Sequence, residues 1–600
     1  MHNQHRFSIE LISDDLIMES LTIADDSRFL SPHLTDRIET LPRSLRKLVA
    51  DRQRDDVTPL FIACHQANLR IIKYLLTVCN ATNDLTIYIR NPHRRMNHIT
   101  PLGNACARGH LSVVKCLIEL GCDVDGPFDD GVTPLQMACL MEELTVVQFL
   151  IENGADIRKS SYDGTTCLMK AATSVPIMSY LLEKGADALA CDLYNKTALH
   201  YSIEQRNFEA TCLLLRHGAD PFLQNRNGDD ALQTACIHCA DEIVDHLVKQ
   251  YQYSTARLAD AYELIGSSYI DVNFNRDKAS EYWLKSHLIR SGGDGYIQKK
   301  PQTPPRFAFG DAIEFTTSEE LEDIAADEVA LDMQSLLICD RVLGIDHEET
   351  LRRLLRRGFE YDYSLHFEKC IDLWILALKT QIDKYSILHT ATNETAQAIV
   401  RLMMEILDRP DNYVTVDDLT LFEGAITVFK MLASKLVETR HLLEVQPVHL
   451  KQQENYDRTI HCITHLMRVL LCTSLCEDDD ELIEDEVRKL IEQDIRSSIN
   501  NDTLLHLAVR SSNVLTKGYM RERCPTYSVF PNLEVMEMLI ECGADVNAYN
   551  DRKCTPLRVA SQESDYDGEV VEALVDHGAH MDLTNVEGDR SIKYMISVCL

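Results

Sequence analysis

Glycine and proline are scarce in this chain, at 23 and 17 of 600 residues, which excludes collagen-like and low-complexity architectures. No run of about 18 uninterrupted apolar residues occurs, so no membrane span is expected. Met1–Ser13 is polar and charged, and no cleaved secretory leader is expected there. Cations are outnumbered: Lys and Arg total 60 against 94 Asp and Glu, a formal net charge of −34. Such a surface repels nucleic-acid phosphates and suits a partner that presents basic groups. A Walker-type phosphate loop, a nucleophile elbow and an HExxH zinc pair are also missing. No enzyme activity and no cofactor are therefore expected.

What is present is a phrase that returns about every 33 residues. It reads Thr133-Pro134-Leu135, Thr166-Cys167-Leu168, Thr197-Ala198-Leu199 and a decayed Asp230-Ala231-Leu232, with Thr100-Pro101-Leu102 one period upstream. A second phrase keeps step: Gly121-Cys122-Asp123, Gly154-Ala155-Asp156, Gly185-Ala186-Asp187 and Gly218-Ala219-Asp220. Period and wording are those of ankyrin repeats. Threonine caps the first helix of each unit, proline opens its first turn, and glycine ends the second helix in a left-handed conformation. Such stacks bind partners along an extended concave face.

The first complete unit starts at Thr58-Pro59-Leu60, after a capping helical segment that ends near Ser44–Arg52. The step to Thr100 is too long by about nine residues, which places an insertion near Leu85–His98. Beyond Ala256 the phrases stop and long amphipathic helices begin, interrupted by a polar Gly/Pro-rich loop at 291–306. The acidic run Glu477–Glu486 reads as a solvated loop leading into a helix. Ankyrin wording resumes at Thr503, Gly543-Ala544-Asp545, Thr555-Pro556-Leu557 and Gly578-Ala579, with a second insertion at about Ser511–Pro531. The expected fold is all-α. It comprises an N-terminal cap (1–56), an ankyrin solenoid (57–252), a tetratricopeptide-like helical region (253–499) and a short second ankyrin block (500–600).

The 20 cysteines, many on helix faces, read as reduced core thiols in place of a disulfide framework. His461, Cys462, His465, Cys472 and Cys476 have ligand spacing on one helix, yet apolar neighbours interleave with them, and no metal is assigned.

The order of these blocks, with several local matches, resembles the feminization (Fem) ankyrin-repeat family. The matches are Leu336–His347, Cys370–Trp374 with Ala377, Leu378 and Gln381, Ala261–Ser267, Tyr282-Trp283, and Phe530–Val535 ahead of Ile540–Asp545. The resemblance implies a substrate receptor of a cullin-RING ubiquitin ligase, working in the cytoplasm and secondarily the nucleus. Its N-terminal groove would hold a C-terminal degron, and elongin B/C and a cullin would dock further along. The family's groove uses an acidic loop before the second phrase and an aspartate in the next repeat. Here the loop holds Arg94 and Arg95, and the aspartate position is Met141. Two readings of the groove stand beside ordinary solvated surface. Asp129, Asp130, Glu142, Glu143 and Asp163, with Tyr162, form an acidic patch, or Arg94 and Arg95 hold an acidic segment or a terminal carboxylate. The elongin-binding helix of the family has only a weak counterpart in Met595–Leu600, so the alternative is an ankyrin scaffold that has lost ligase docking.

Overall fold

The computed structural model describes residues 2–23, 29–54, 57–85, 87–91, 94–128, 130–292, 297–299, 306–310, 312–408, 416–445, 449–515, 529–562 and 568–580. Parts of the 291–306 loop and of the 511–531 insertion, and the Met595–Leu600 segment, lie outside the described residues. The chain divides into two compact units, Met1–Gln298 with Thr317–Leu321, and Lys299–Thr316 with Glu322–Leu600. The division falls inside the long helical region at 253–499.

In the first unit, helices His2–Thr22, Pro32–Glu39 and Arg43–Asp51 precede six helical pairs. The inner helices begin at Pro59, Pro101, Pro134, Cys167, Ala198 and Ala231. Each packs on the next inner helix, and each outer helix on the next outer one. Threonine capping is explicit. Thr58 Oγ1 accepts from Phe61 N at 3.2 Å, Thr100 from Gly103 N at 3.1 Å and Thr133 from Gln136 N at 3.2 Å.

In the third and fifth units the fourth residue of the phrase ties the unit to its successor. Gln136 accepts from Thr133 N and donates to Thr165 O at 2.7 Å. His200 does the same with a ring: Nδ1 accepts from Thr197 N at 3.1 Å, which fixes the proton on Nε2 for Asp229 O, also 3.1 Å away. His506 repeats that pattern in the second ankyrin block, between Thr503 N and Cys554 O. Burial lowers the pKa of both imidazoles, which suits a ring that must stay neutral to accept on one side.

The insertion at Leu85–His98 is not a loop. It forms an antiparallel hairpin of β1 (Ile87–Asn91) and β2 (Arg94–Ile99), in register Ile87–Ile99 and Ile89–Asn97. The two strands stand where the turn before Thr100 would be, so among the described residues the fold is helical apart from this lengthened turn. The acidic run also departs from expectation. Glu477–Glu492 is a helix from its first residue, and Asp479 and Asp480 return to accept from Leu475 N and Ser474 Oγ. Carboxylates in a first helical turn meet free N–H groups and the positive end of the dipole, which is why the run is ordered.

The chain holds two tryptophans, and both lock a helical hairpin in the same way. In the first unit, helix Arg276–Ser291 lays Trp283 over Gly266 of helix Thr255–Asp271. Trp283 Nε1 donates to Glu263 O at 3.0 Å. In the second unit, helix Phe367–Tyr385 lays Trp374 over Gly358 of helix Glu348–Tyr363, and Nε1 donates to Leu355 O at 3.0 Å. A Cβ on Gly358 would sit 2.1 Å from Trp374 Nε1, so only glycine admits the indole. In both hairpins the acceptor carbonyl lies one helical turn before the glycine.

In the second unit one apolar core runs from Phe309 through the long helices to Ala579. Helix Leu450–Thr473 carries it into the second ankyrin block, where Asn513 Nδ2 donates to Thr464 Oγ1 at 2.9 Å.

Candidate functional site

The turns between ankyrin units are built alike. Ser161 N donates to Thr165 O at 3.0 Å, Asp192 N to Lys196 O at 3.0 Å and Asn225 N to Asp229 O at 2.9 Å. Each then needs a left-handed residue, supplied by Gly164 (φ 82°), Asn195 (φ 56°) and Gly228 (φ 90°). Consecutive turns are also bonded to one another. Tyr162 N donates to Asp130 O at 3.0 Å, Leu193 N to Asp163 O at 2.9 Å and Arg226 N to Tyr194 O at 2.7 Å. The tips therefore form a fixed ladder, one rung per repeat.

Asp130, Tyr162 and Asp163, three of the residues that stand out in the sequence, lie together on this ladder. Asp130 is exposed, and its Oδ1 accepts from Val132 N at 3.2 Å. Tyr162 is 71% exposed. Its ring lies against Gly131, where an added Cβ would come within 2.7 Å of Cδ1. Asp163 Oδ1 accepts from Ser161 Oγ at 2.5 Å and from Thr165 N at 3.0 Å. Partial burial opposes ionisation of Asp163, but these donors outweigh it and hold the carboxyl below the usual carboxylate range.

Met141, Glu142 and Glu143 form a second group. They follow the inner helix Pro134–Leu140, about 10 Å along the helix from the turn that precedes it. Met141 is half exposed, and Glu142 is exposed with φ 62°. The corner between inner and outer helices takes this conformation in neighbouring units as well, at Ala67, Gly109, Arg206 and Cys239. A non-glycine residue there costs roughly 1–2 kcal/mol. Glu143 points back onto Gly109 of the preceding unit. The acidic residues therefore form two groups at opposite ends of one helix, not a single patch. Arg94 and Arg95 lie on β2, in the hairpin that replaces the turn one repeat earlier. Asp129 lies outside the described residues.

Leu193 and Tyr194 do not stand out in the sequence, yet they are 64% and 57% exposed on the next rung. They hold the same turn positions as Tyr162 and Asp163, and a large apolar residue at a turn tip is the available signal. Among the described residues, no group of three or more His, Cys, Asp or Glu side chains gathers as a metal site. His465 Nδ1 donates instead to His461 O at 2.8 Å, and Cys472 and Cys476 are exposed. Among the described residues, no helix is long and apolar enough to cross a membrane.

Comparison with known proteins agrees with this architecture. A family model for ankyrin repeats in three copies matches residues 60–161 and 157–225, and a single-repeat ankyrin model matches 500–551. Protein fem-1 homolog A-A of Mus musculus is 29% identical over 360 residues, 60% of this chain and 53% of that protein. Protein fem-1 homolog A-like of the same organism is 27% identical over 445 residues, 68% and 66% of the two chains. Protein fem-1 homolog C of Xenopus laevis is 30% identical over 364 residues, 60% and 56%. The chain thus spans between 53% and 66% of the length of these relatives. With two ankyrin blocks flanking paired long helices and a ladder of exposed turns, its architecture is that of a protein-binding adaptor, and the chain is a divergent member of the fem-1 ankyrin-repeat family.

Proposed function

We propose that this chain is the substrate-recognition subunit of a cullin-RING ubiquitin ligase, acting in the cytoplasm and nucleus. Its N-terminal ankyrin block takes a C-terminal degron of the substrate, and elongin B/C with a cullin complete the assembly. The observation that carries the reading is the rigid run of bonded turns from Asp130 to Arg226, which presents side chains to one partner over consecutive repeats. Likeness to the fem-1 relatives supplies the ligase context. The receptor makes no bond itself. By holding the substrate it raises the effective concentration of acceptor lysines at the ubiquitin donor.

The hairpin Ile87–Ile99 sets the charge preference at its own end of the groove, where the degron terminus lies. With Arg94 and Arg95 on β2, a degron ending in arginine meets like charge, and an acidic segment is favoured. Replacing both arginines by glutamate is expected to shift the affinity ratio between basic and acidic C-terminal peptides at least about tenfold toward the basic ones, read by fluorescence polarisation. Unchanged selectivity would make the hairpin a bystander and remove the charge argument.

A further inference from the structure

The structure assigns the three rungs at Asp130, Tyr162–Asp163 and Leu193–Tyr194 a ligand of definite chemistry: an extended peptide segment combining large apolar side chains with lysine or arginine. This inference rests on the groove reading above and specifies what the turns, as distinct from the hairpin and the helix corner, would recognise.

Three large side chains, Tyr162, Leu193 and Tyr194, stand more than half exposed at two successive tips. Tips of turns are ordinarily small and polar, so apolar groups concentrated there mark a contact surface. The ladder also fixes their spacing. Leu193 is bonded through its own N–H to Asp163 O, directly beside Tyr162, and Tyr194 accepts in turn from Arg226 N. Tyrosines held on rigid backbone lose little side-chain entropy on binding, which is what makes them effective anchors.

The charges between the anchors select the partner. The carboxylates of Asp130 and Asp163 accept from Val132 N, Thr165 N and the Ser161 hydroxyl, and attraction to Lys170 is the smallest of the influences on Asp163. Asp163 is held ionised. Lys196, on the turn that carries Leu193 and Tyr194, is already paired with Glu204 at 2.7 Å. Negative charge is thus left over beside the aromatic tips, on a chain of net charge −34. An extended segment advances about 3.3 Å per residue and shows alternate side chains to one side, so roughly six to eight residues would engage all three rungs. Arg226 closes this stretch with a positive charge on the following rung.

The test pans a phage-displayed library of random dodecapeptides on the full chain and measures the selected sequences as fluorescein-labelled peptides. Sequences rich in Leu, Phe, Tyr or Trp together with Lys or Arg are expected. Their affinity should fall about 100-fold or more on the Y162A/L193A/Y194A chain. The single variants Y162A and Y194A, each at an exposed tip, should lose about tenfold and are measured beside it, with circular dichroism on every variant. Peptides unaffected by the tip variants but lost on a M141A/E142A chain would overturn the ladder and leave the groove reading standing. Peptides indifferent to both sets, or a library without binders, would overturn both.

Discussion

Replacing Trp374 by alanine is expected to lower the stability of the second unit by about 3–5 kcal/mol, the range for truncating a large buried aromatic. Trp374 is 2% exposed and packs edge-on against Phe359 at a centroid distance of 5.1 Å. Its Nε1 holds Leu355 O across the hairpin, so truncation removes packing and a hydrogen bond between the two helices as well. The complementary change, Gly358→Ala, forces a methyl to within 2.1 Å of the indole nitrogen. It should cost about 1–3 kcal/mol through overpacking. Urea unfolding followed by far-ultraviolet circular dichroism measures both, and in the Trp374→Ala chain the fluorescence of the remaining Trp283 reports the first unit independently. A midpoint unchanged in either variant would mean that the Gly–Trp lock does not hold the hairpin together.

Acidification is expected to weaken the second unit between about pH 6.5 and pH 4, with His465 and His461 as the main causes. His465 is fully buried on helix Leu450–Thr473, edge-on to Phe530 at 4.9 Å. Its Nδ1 donates to His461 O, and Nε2 is buried without a partner. A proton arriving at Nε2 would place an unpartnered cation in the core, near Arg401, Arg468 and His461. Burial first, and then those charges, push its pKa down to about 4, against the helping backbone bond to His461 O. His461 is also lowered to about 4, by burial and by Arg510 and Arg458, with Asp502 opposing.

Folded imidazoles held neutral mean that the unfolded chain binds more protons below pH 6.5. Above that pH both states are deprotonated and nothing is lost. Each pH unit between the two pKa values costs about 1.4 kcal/mol, so the deficit from His465 reaches roughly 3 kcal/mol as pH falls to about 4. His465→Phe keeps the aromatic contact and removes the titration. Its urea midpoint should fall less than that of the unmodified chain between pH 7 and pH 4.5. Equal slopes for the two chains would contradict the assignment.

Much of the fold is legible in the sequence because ankyrin signals are local. The threonine cap, the first-turn proline and the glycine that ends the outer helix each act within a few residues, and Thr58, Thr100 and Thr133 cap as the spelling implies. The hairpin at Ile87–Ile99 shows in the sequence only as inserted length. Its clue is the short β-prone run Ile87-Tyr88-Ile89, too short to separate from a polar loop. The acidic run at Glu477 reads as solvated loop from its charge, although charge at a helix start is stabilising.

Tryptophans 283 and 374 are recognisable as apolar helix positions, but their glycine partners lie on the preceding helix. That pairing is a tertiary fact no window reveals. The candidate site is half visible. Turn positions at Asp130, Tyr162 and Asp163 stand in the repeat pattern, whereas the separation of Met141–Glu143 from them depends on the length of the helix between.

Affinity capture with the full chain, quantifying elongin C and a cullin against an unrelated ankyrin protein, tests the central proposal most directly. Recovery of both in near-equal amounts with the bait, from the unmodified and the Y162A/L193A/Y194A chains alike, is the predicted result, because the turns are assigned to substrate and not to the ligase. Recovery no greater than with the control protein would contradict the ligase assignment and leave an ankyrin scaffold that binds partners without passing them to ubiquitin.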